Sequence, residues 1–529
     1  MAAGRAAVAG GELAISIVAT MDGSVWLDGG ALSPETLTDI ARGGAPVAIT
    51  PEARARIEAS AAVVARAAET DIPVYGLTTG LGHRVVDRID GHAAAAFSLQ
   101  TLRGRAMSVG ERLPTELTRA AMAVRCNGVC AGGSGATVAI ADGLTALLNA
   151  RIHPCIPRTG SVGASDLCML AHVGLTLIGE GEAELDGTVM ASGDALARAG
   201  VAPVRLGPKD GLAVCSSSAV SAGVAGLALV DSTACLEMLQ VAAALSMEGF
   251  RANLSPLDPR VVAARPAPGQ AWAAAGLRAL LSGGALMEPG AARRLQDPLS
   301  FRCVSQIHGS LHVALELLAA AVGPELGGAA DNPLVLLDDD EIVSTGNFHV
   351  PALAMALDAA AIGLSQVAST SSERQARLKT ERLSGLPTGL SPAEEIRSGL
   401  SPLTRTAQAL AMEIRHLATP FSITPTVAAD SVEDDSTGAA HAALRVREQL
   451  ERLRLLTAIE LIVAAQAVDL AAPSPLGVAT GAAYTAVREC VDTLEEDRPV
   501  GPDVERLTAE MLVTGRLLER VGAAAGARS

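Results

Sequence analysis

Aromatic side chains are nearly absent from this chain. Two Trp, two Tyr and five Phe make up 2% of 529 residues, although 49% of the residues are hydrophobic. Burial therefore falls to Ala, Leu and Val, a composition biased towards helix. Cysteine is sparse as well. Eight thiols without a CxxC pair form neither a disulfide framework nor a metal site, and Cys126 and Cys130 read as packing residues. That pattern leads us to expect a reduced, cytoplasmic protein. Basic charge is short too. A net charge of -16 leaves no basic stripe to displace phosphate counterions, so no nucleic-acid partner is expected. No membrane partner is expected either, because no run of about 18 uncharged apolar residues with membrane flanks stands out. Leu212 to Leu245 comes nearest, but Ser216-Ser217-Ser218, Asp231 and Glu237 interrupt it. The first residues lack a charged-then-apolar signal pattern.

What the chain does contain is helical periodicity. Long apolar periodic runs cover 212–248, 300–322, 349–383, 401–417 and 436–470, with shorter ones at 475–494 and 502–522. Such lengths suit a bundle of long central helices better than an α/β sheet. The earlier part is mixed. Short β-prone pieces (Ala14 to Ala19, Ser24 to Leu27, Ala183 to Val189) alternate with helices at 92–103, 114–130 and 134–151. The expected fold is mainly α, a long central helical bundle with a mixed α/β N-terminal part. Its expected divisions are an N-terminal extension (1–23), an active-site domain (24–210), the bundle (211–475) and C-terminal helices (476–529).

Several short stretches could carry chemistry. Thr159 to His172 is a small-residue loop running into an apolar segment, with Ser165 and Asp166 as candidate N-caps of a helix from Leu167 to Ile178. A loop aimed at a helix N-terminus favours an electron-rich group, and a capped core helix is the plainer reading. Tyr75 sits in a glycine-rich loop, where its phenol is either a base with a suitable neighbour or a lid over the core. Arg302 opens a long apolar helix and needs a partner, either a substrate carboxylate or an acid such as Asp297. Asn347 lies in a loop entering a helix, Asn332 in a turn, and Glu433 ahead of a helix start.

In combination and in this order, these stretches resemble the aromatic amino acid lyase family of histidine, phenylalanine and tyrosine ammonia-lyases and 2,3-aminomutases. The matching stretches are Val74 to Gly80, Gly160 to Ser165 with Leu170-Ala171-His172, and Ile178 to Glu182. Gln296-Asp297 with Arg302-Cys303, Asp331-Asn332-Pro333, Gly346 to His349 and Leu383 to Pro387 continue the series. The resemblance implies an ammonia-lyase (fumarase/aspartase-like) architecture and a homotetramer whose sites each draw on three subunits. It implies no external cofactor. An Ala-Ser-Gly triad, here beginning at Ala164-Ser165, would close on itself into an electrophilic 4-methylideneimidazol-5-one that captures the substrate amine. It further implies that Tyr75 removes the β-proton, that Arg302 anchors the carboxylate, and that Ser216, Asn347 and Glu433 stand at substrate-binding positions.

The chain also departs from that pattern. Asp166 follows Ser165 directly, where the family has glycine, and a side chain there resists the compressed backbone that cyclisation needs. Ser216-Ser217-Ser218 replaces Asn-Gly-Thr, Leu299 stands where a second tyrosine is usual, and Val432 replaces a glutamine. Arg105 occupies the position that contacts the substrate side chain, favouring a carboxylate, phosphate or other polar group unless it is spent in a salt bridge. Three readings follow: an ammonia-lyase or aminomutase using the ring, an eliminase on the same pocket without it, and a non-catalytic homologue that binds a ligand or pairs with an active subunit.

Overall fold

The computed structural model describes residues 20–21, 23–392, 397–423, 432–471 and 475–526. The β-prone piece from Ala14 to Ala19 lies outside them. Ser24–Leu27 and Glu182–Leu185 are strands as expected, and the described strands form four small sheets of two or three strands. Helices carry the rest. Those that build the site and the core are α1 (Ala94–Arg105), α2 (Thr115–Cys130), α3 (Leu167–Leu177), α4 (Asp210–Cys215), α5 (Ala219–Phe250), α6 (Val304–Gly327), α7 (Pro351–Leu378) and α8 (Ala439–Ala471).

Two of the long periodic runs are broken near their starts. The run over 212–248 divides at Ser216-Ser217-Ser218, because Ser216 Oγ bonds the backbone of Asn332 and Ser218 Oγ donates to the Phe348 carbonyl. Serine hydroxyls that find partners elsewhere compete with helix continuation. The run over 300–322 divides at Cys303, with a single turn, Leu299–Arg302, ahead of α6.

Helix α5 is the axis of the bundle. It packs along α8, with α2, α6 and α7 around it. Small residues make this possible. A side-chain carbon at Gly223 would lie 2.9 Å from the backbone of Ala120 and Ala121, and one at Gly249 would lie 2.8 Å from Ala467 Cβ. Helices in contact at such points leave no room for aromatic rings, which explains their scarcity.

Among the described residues, three helical stretches are long and apolar enough to cross a membrane by length and composition. In Asp210–Phe250 the apolar window is 94% buried inside the chain, whereas in Val304–Gly327 it is only 33% buried. Leu317, Met355 and Ile362 on α6 and α7 are exposed.

A fully buried ion pair fastens three of these helices. Arg374 Nε on α7 donates to Glu460 Oε1 on α8 at 2.6 Å, and Ser246 Oγ on α5 donates to the same oxygen at 3.0 Å. Ser371 and a second guanidinium nitrogen satisfy the other oxygen. Removing one member strands a charge away from water. Arg374→Met is therefore expected to lower stability by about 3–5 kcal/mol, read as a fall in the denaturant midpoint.

Candidate active site

The loop from Gly160 to Asp166 ends on the N-terminus of α5. Asp166 is fully buried, and its Oδ1 accepts from Ser161 Oγ (2.7 Å) and Ser221 Oγ (3.0 Å). Its Oδ2 accepts from the Ser221 N–H at 2.8 Å. A carboxylate there meets an unpaired amide and the positive end of a 32-residue helix. The expected N-cap role is thereby corrected. Asp166 precedes α3 but no side chain caps that helix; the carboxylate reaches across to the first turn of α5 instead. Burial still pushes its pKa up, against the pull of its hydrogen-bond donors.

Ala164 and Ser165 are buried, and Ser165 takes the left-handed region with φ +56°. Three other segments hold this loop. Ala164 bridges to the backbone of His349, the Asp166 N–H donates to the Ser217 carbonyl at 2.8 Å, and Thr437 Oγ1 donates to the Gly163 carbonyl at 3.0 Å. Gly163 (φ +88°) touches Thr437 and Gly438 so closely that any side chain would collide.

The ring implied by the resemblance closes through the amide nitrogen of the residue after serine. Here that nitrogen belongs to Asp166, its N–H is bonded to Ser217, and its carboxylate is held by Ser161 and Ser221. The residues present do not fit the ring.

Tyr75 lies in a turn from Val74 to Thr79. Gly76, with φ +67°, lets the chain lie directly on Leu212 of α4, and Tyr75 Oη accepts from the Gly82 N–H at 2.9 Å. Burial raises the phenol's pKa, the Gly82 bond lowers it, Glu433 raises it and Arg105 lowers it. Arg105 ends α1, which is wedged between α3 and α4. Gly174 of α3 receives Leu102, and Gly211 of α4 lies on the Ser98 backbone. Among the described residues the Arg105 guanidinium has neither a hydrogen bond nor an ion pair. The salt bridge that would have spent it is absent there. Its charge also draws down the thiols of Cys168 and Cys215, which burial raises. These two cysteines were not anticipated, since nothing in their spacing marks the first turn of α3 and the end of α4 as neighbours.

The other candidates divide. Glu433 is half-buried, and its negative charge acts on Tyr75 and Cys168. Ser216 is buried and shares its hydroxyl with the backbone of Asn332 at 3.3 Å. Asn347 is exposed, and its amide donates to the Ala329 carbonyl at 3.3 Å. Arg302 is elsewhere. The neighbouring Phe301 stacks on Phe250, the last residue of α5, with ring centroids 4.1 Å apart. Ser221, bonded to Asp166, begins the same helix, so the two ends are separated by about 44 Å at 1.5 Å per residue. Asp297 forms no ion pair with Arg302; it accepts from the Asn253 N–H at 2.6 Å, and Arg302 Nε is buried without a partner among the described residues. No group of three or more His, Cys, Asp or Glu placed to hold a metal occurs among the described residues.

The family model described as aromatic amino acid lyase matches residues 32–489. The chain belongs to that family. Histidine ammonia-lyase of Symbiobacterium thermophilum is 38% identical over 494 residues, spanning 93% of this chain and 97% of that protein. The histidine ammonia-lyase of Sorangium cellulosum is 38% identical over 509 residues, spanning 94% and 99%. Among solved structures, the ergothioneine-degrading enzyme ergothionase of Treponema denticola superposes with a TM-score of 0.89 at 30% identity, covering 93% of this chain and 99% of that one. Tyrosine aminomutase of Streptomyces globisporus gives 0.90 at 30% identity, covering 95% and 99%. This aromatic amino acid lyase therefore has the helical-bundle fold and the carbon–nitrogen lyase class expected from its motifs.

The clasp between Asp166 and α5 can be measured directly. Asp166→Ala strands three donors and is expected to cost about 3 kcal/mol, seen as a lower midpoint in chemical denaturation.

Proposed function

We propose that this protein is a carbon–nitrogen lyase that eliminates the amine of an amino acid directly, without a self-made ring. Tyr75 Oη takes the β-proton, the released electron pair forms the Cα–Cβ double bond, and the amine departs as ammonia. Glu433 faces the substrate ammonium, and Arg302 holds the α-carboxylate through paired hydrogen bonds. What supports this reading is the Tyr75 hydroxyl, held by the Gly82 N–H and acted on by the charges of Arg105 and Glu433.

Arg302 enters from another copy of the chain. The length of α5 keeps it from its own Tyr75, so the two meet on one substrate only across a subunit boundary. The exposed apolar sides of α6 and α7 supply surface for that boundary, in keeping with the homotetramer that the resemblance implies. Ring chemistry has little support here, since the chain lacks the glycine and the Asp166 amide is already bonded.

Tyr75→Phe is expected to reduce kcat/KM about a hundredfold or more; undiminished activity refutes the base and favours a non-catalytic or differently catalytic homologue. The intact mass should equal that of the sequence, and a mass short by two waters refutes the ring-free route. Because burial raises the phenol's pKa and only the phenolate accepts a proton, kcat/KM should climb as pH rises from neutral towards that pKa and fall in acid. Mixed assemblies of Tyr75→Phe and Arg302→Met chains, each inactive alone, should recover activity if sites are shared between subunits.

A further inference from the structure

We propose that the substrate carries an acid group on its β-carbon and that Arg105 binds this group, supplying the electron sink that the chain itself lacks. The inference rests on the elimination described above and narrows it to one class of substrate.

Removing a proton from an ordinary β-carbon leaves a carbanion that a tyrosine cannot sustain. A self-made electrophile could ease the step by activating the amine, but Asp166 occupies the position where the ring would close, with its N–H bonded to the Ser217 carbonyl at 2.8 Å. The remaining solution lies in the substrate. When the β-carbon bears a carboxylate, the electron pair left by the proton moves into that group and forms its doubly charged enolate. The pair then returns to form the Cα–Cβ double bond, and the C–N bond breaks with its electrons leaving on ammonia. The proton on Tyr75 Oη passes to solvent, and the product is an unsaturated diacid. Atoms and charge balance with no further reactant.

Such an intermediate needs fixed positive charge at the acid group, oriented before the reaction begins. Arg105 has the required properties. It closes α1, whose position is set by close contacts at Gly174 and Gly211, so the backbone beneath the guanidinium is fixed on two sides. The guanidinium is half-buried and spends no hydrogen bond on any described residue. A planar fork held in this way accepts a carboxylate through two parallel bonds. Its charge acts on the Tyr75 phenol and on the two thiols at the start of α3 and the end of α4.

The charges also match one to one. An amino acid with a β-acid group brings two anions and one cation. Against them stand Arg105, Glu433 and the Arg302 of a second copy, none of which is paired among the described residues. A neutral aromatic side chain would leave Arg105 desolvated and unpaired, at the cost of an unmatched buried charge.

The full chain, wild type and variant, can be tested for ammonia release from aspartate and 3-substituted aspartates, with histidine, phenylalanine and tyrosine alongside. Calorimetric binding of fumarate and methylsuccinate adds a readout independent of turnover. The expected result is turnover of the β-acid substrates and binding of the diacids. Arg105→Met should lower kcat/KM about a hundredfold and abolish diacid binding, with Arg105→Lys restoring part of both. Tyr75→Phe should abolish turnover and leave diacid binding intact. Turnover of the aromatic amino acids with no effect of Arg105→Met overturns this proposal and leaves the elimination standing. Absence of both diacid binding and β-acid turnover in the wild type also overturns it. Full turnover by Tyr75→Phe overturns the elimination itself.

Discussion

The Asp166 carboxylate joins the loop from Gly160 to Asp166 to the axis of the fold. Its three bonds to Ser161 and Ser221 fix the loop on the first turn of α5, the helix around which α2, α6, α7 and α8 are arranged. A charge buried this deeply is costly unless every lone pair is used, and here the donors are two serine hydroxyls and a helix amide. The loop is therefore fixed to the bundle itself. Its geometry is set by the same helix whose other end lies beside Arg302.

That length has a chemical consequence. Long helices built from Ala, Gly, Leu and Val pack closely and stay straight enough to act as spacers, but they separate the groups that must act together. The 32 residues of α5 separate Ser221, bonded to Asp166, from Phe250, stacked on Phe301 next to Arg302. In the elimination proposed above, association of chains brings Arg302 back to Tyr75. The exposed apolar residues Leu317, Met355 and Ile362 on α6 and α7 are the surface which that proposal assigns to the association.

Much of this was legible in the sequence. The helical bundle follows from periodicity, and the family follows from ordered short motifs such as Val74 to Gly80 and Gly346 to His349. The breaks were harder to read. Ser216-Ser217-Ser218 lies in an apolar run whose pattern continues on both sides, and only the partners Asn332 and Phe348, more than 100 residues away, end the helix there. The destination of Asp166 was hidden for the same reason: a capping residue is ordinarily assigned to the helix it precedes, yet this one serves a helix that begins some 50 residues later. Thr437 and Gly438, which grip Gly163, carry no local signal at all. Contacts of that kind depend on tertiary placement, which periodicity does not encode.

The missing glycine and the unpaired Arg105 are best understood as one change. Between two anchors, the Gly163 contact with Thr437 and the Asp166 clasp, Ser165 takes a left-handed turn at a cost of about 1–2 kcal/mol. A loop under that constraint holds its amide against Ser217 and has no slack for ring closure. An enzyme that forgoes a covalent electrophile must find its electron sink elsewhere, and a positive charge beside the base is of use only when the substrate brings the group that charge stabilises. Arg105 would be a liability in a pocket built for a bare ring. On the reading proposed above, Arg105, without a partner among the described residues and with its charge acting on the Tyr75 phenol, is where the negative charge of the transition state collects.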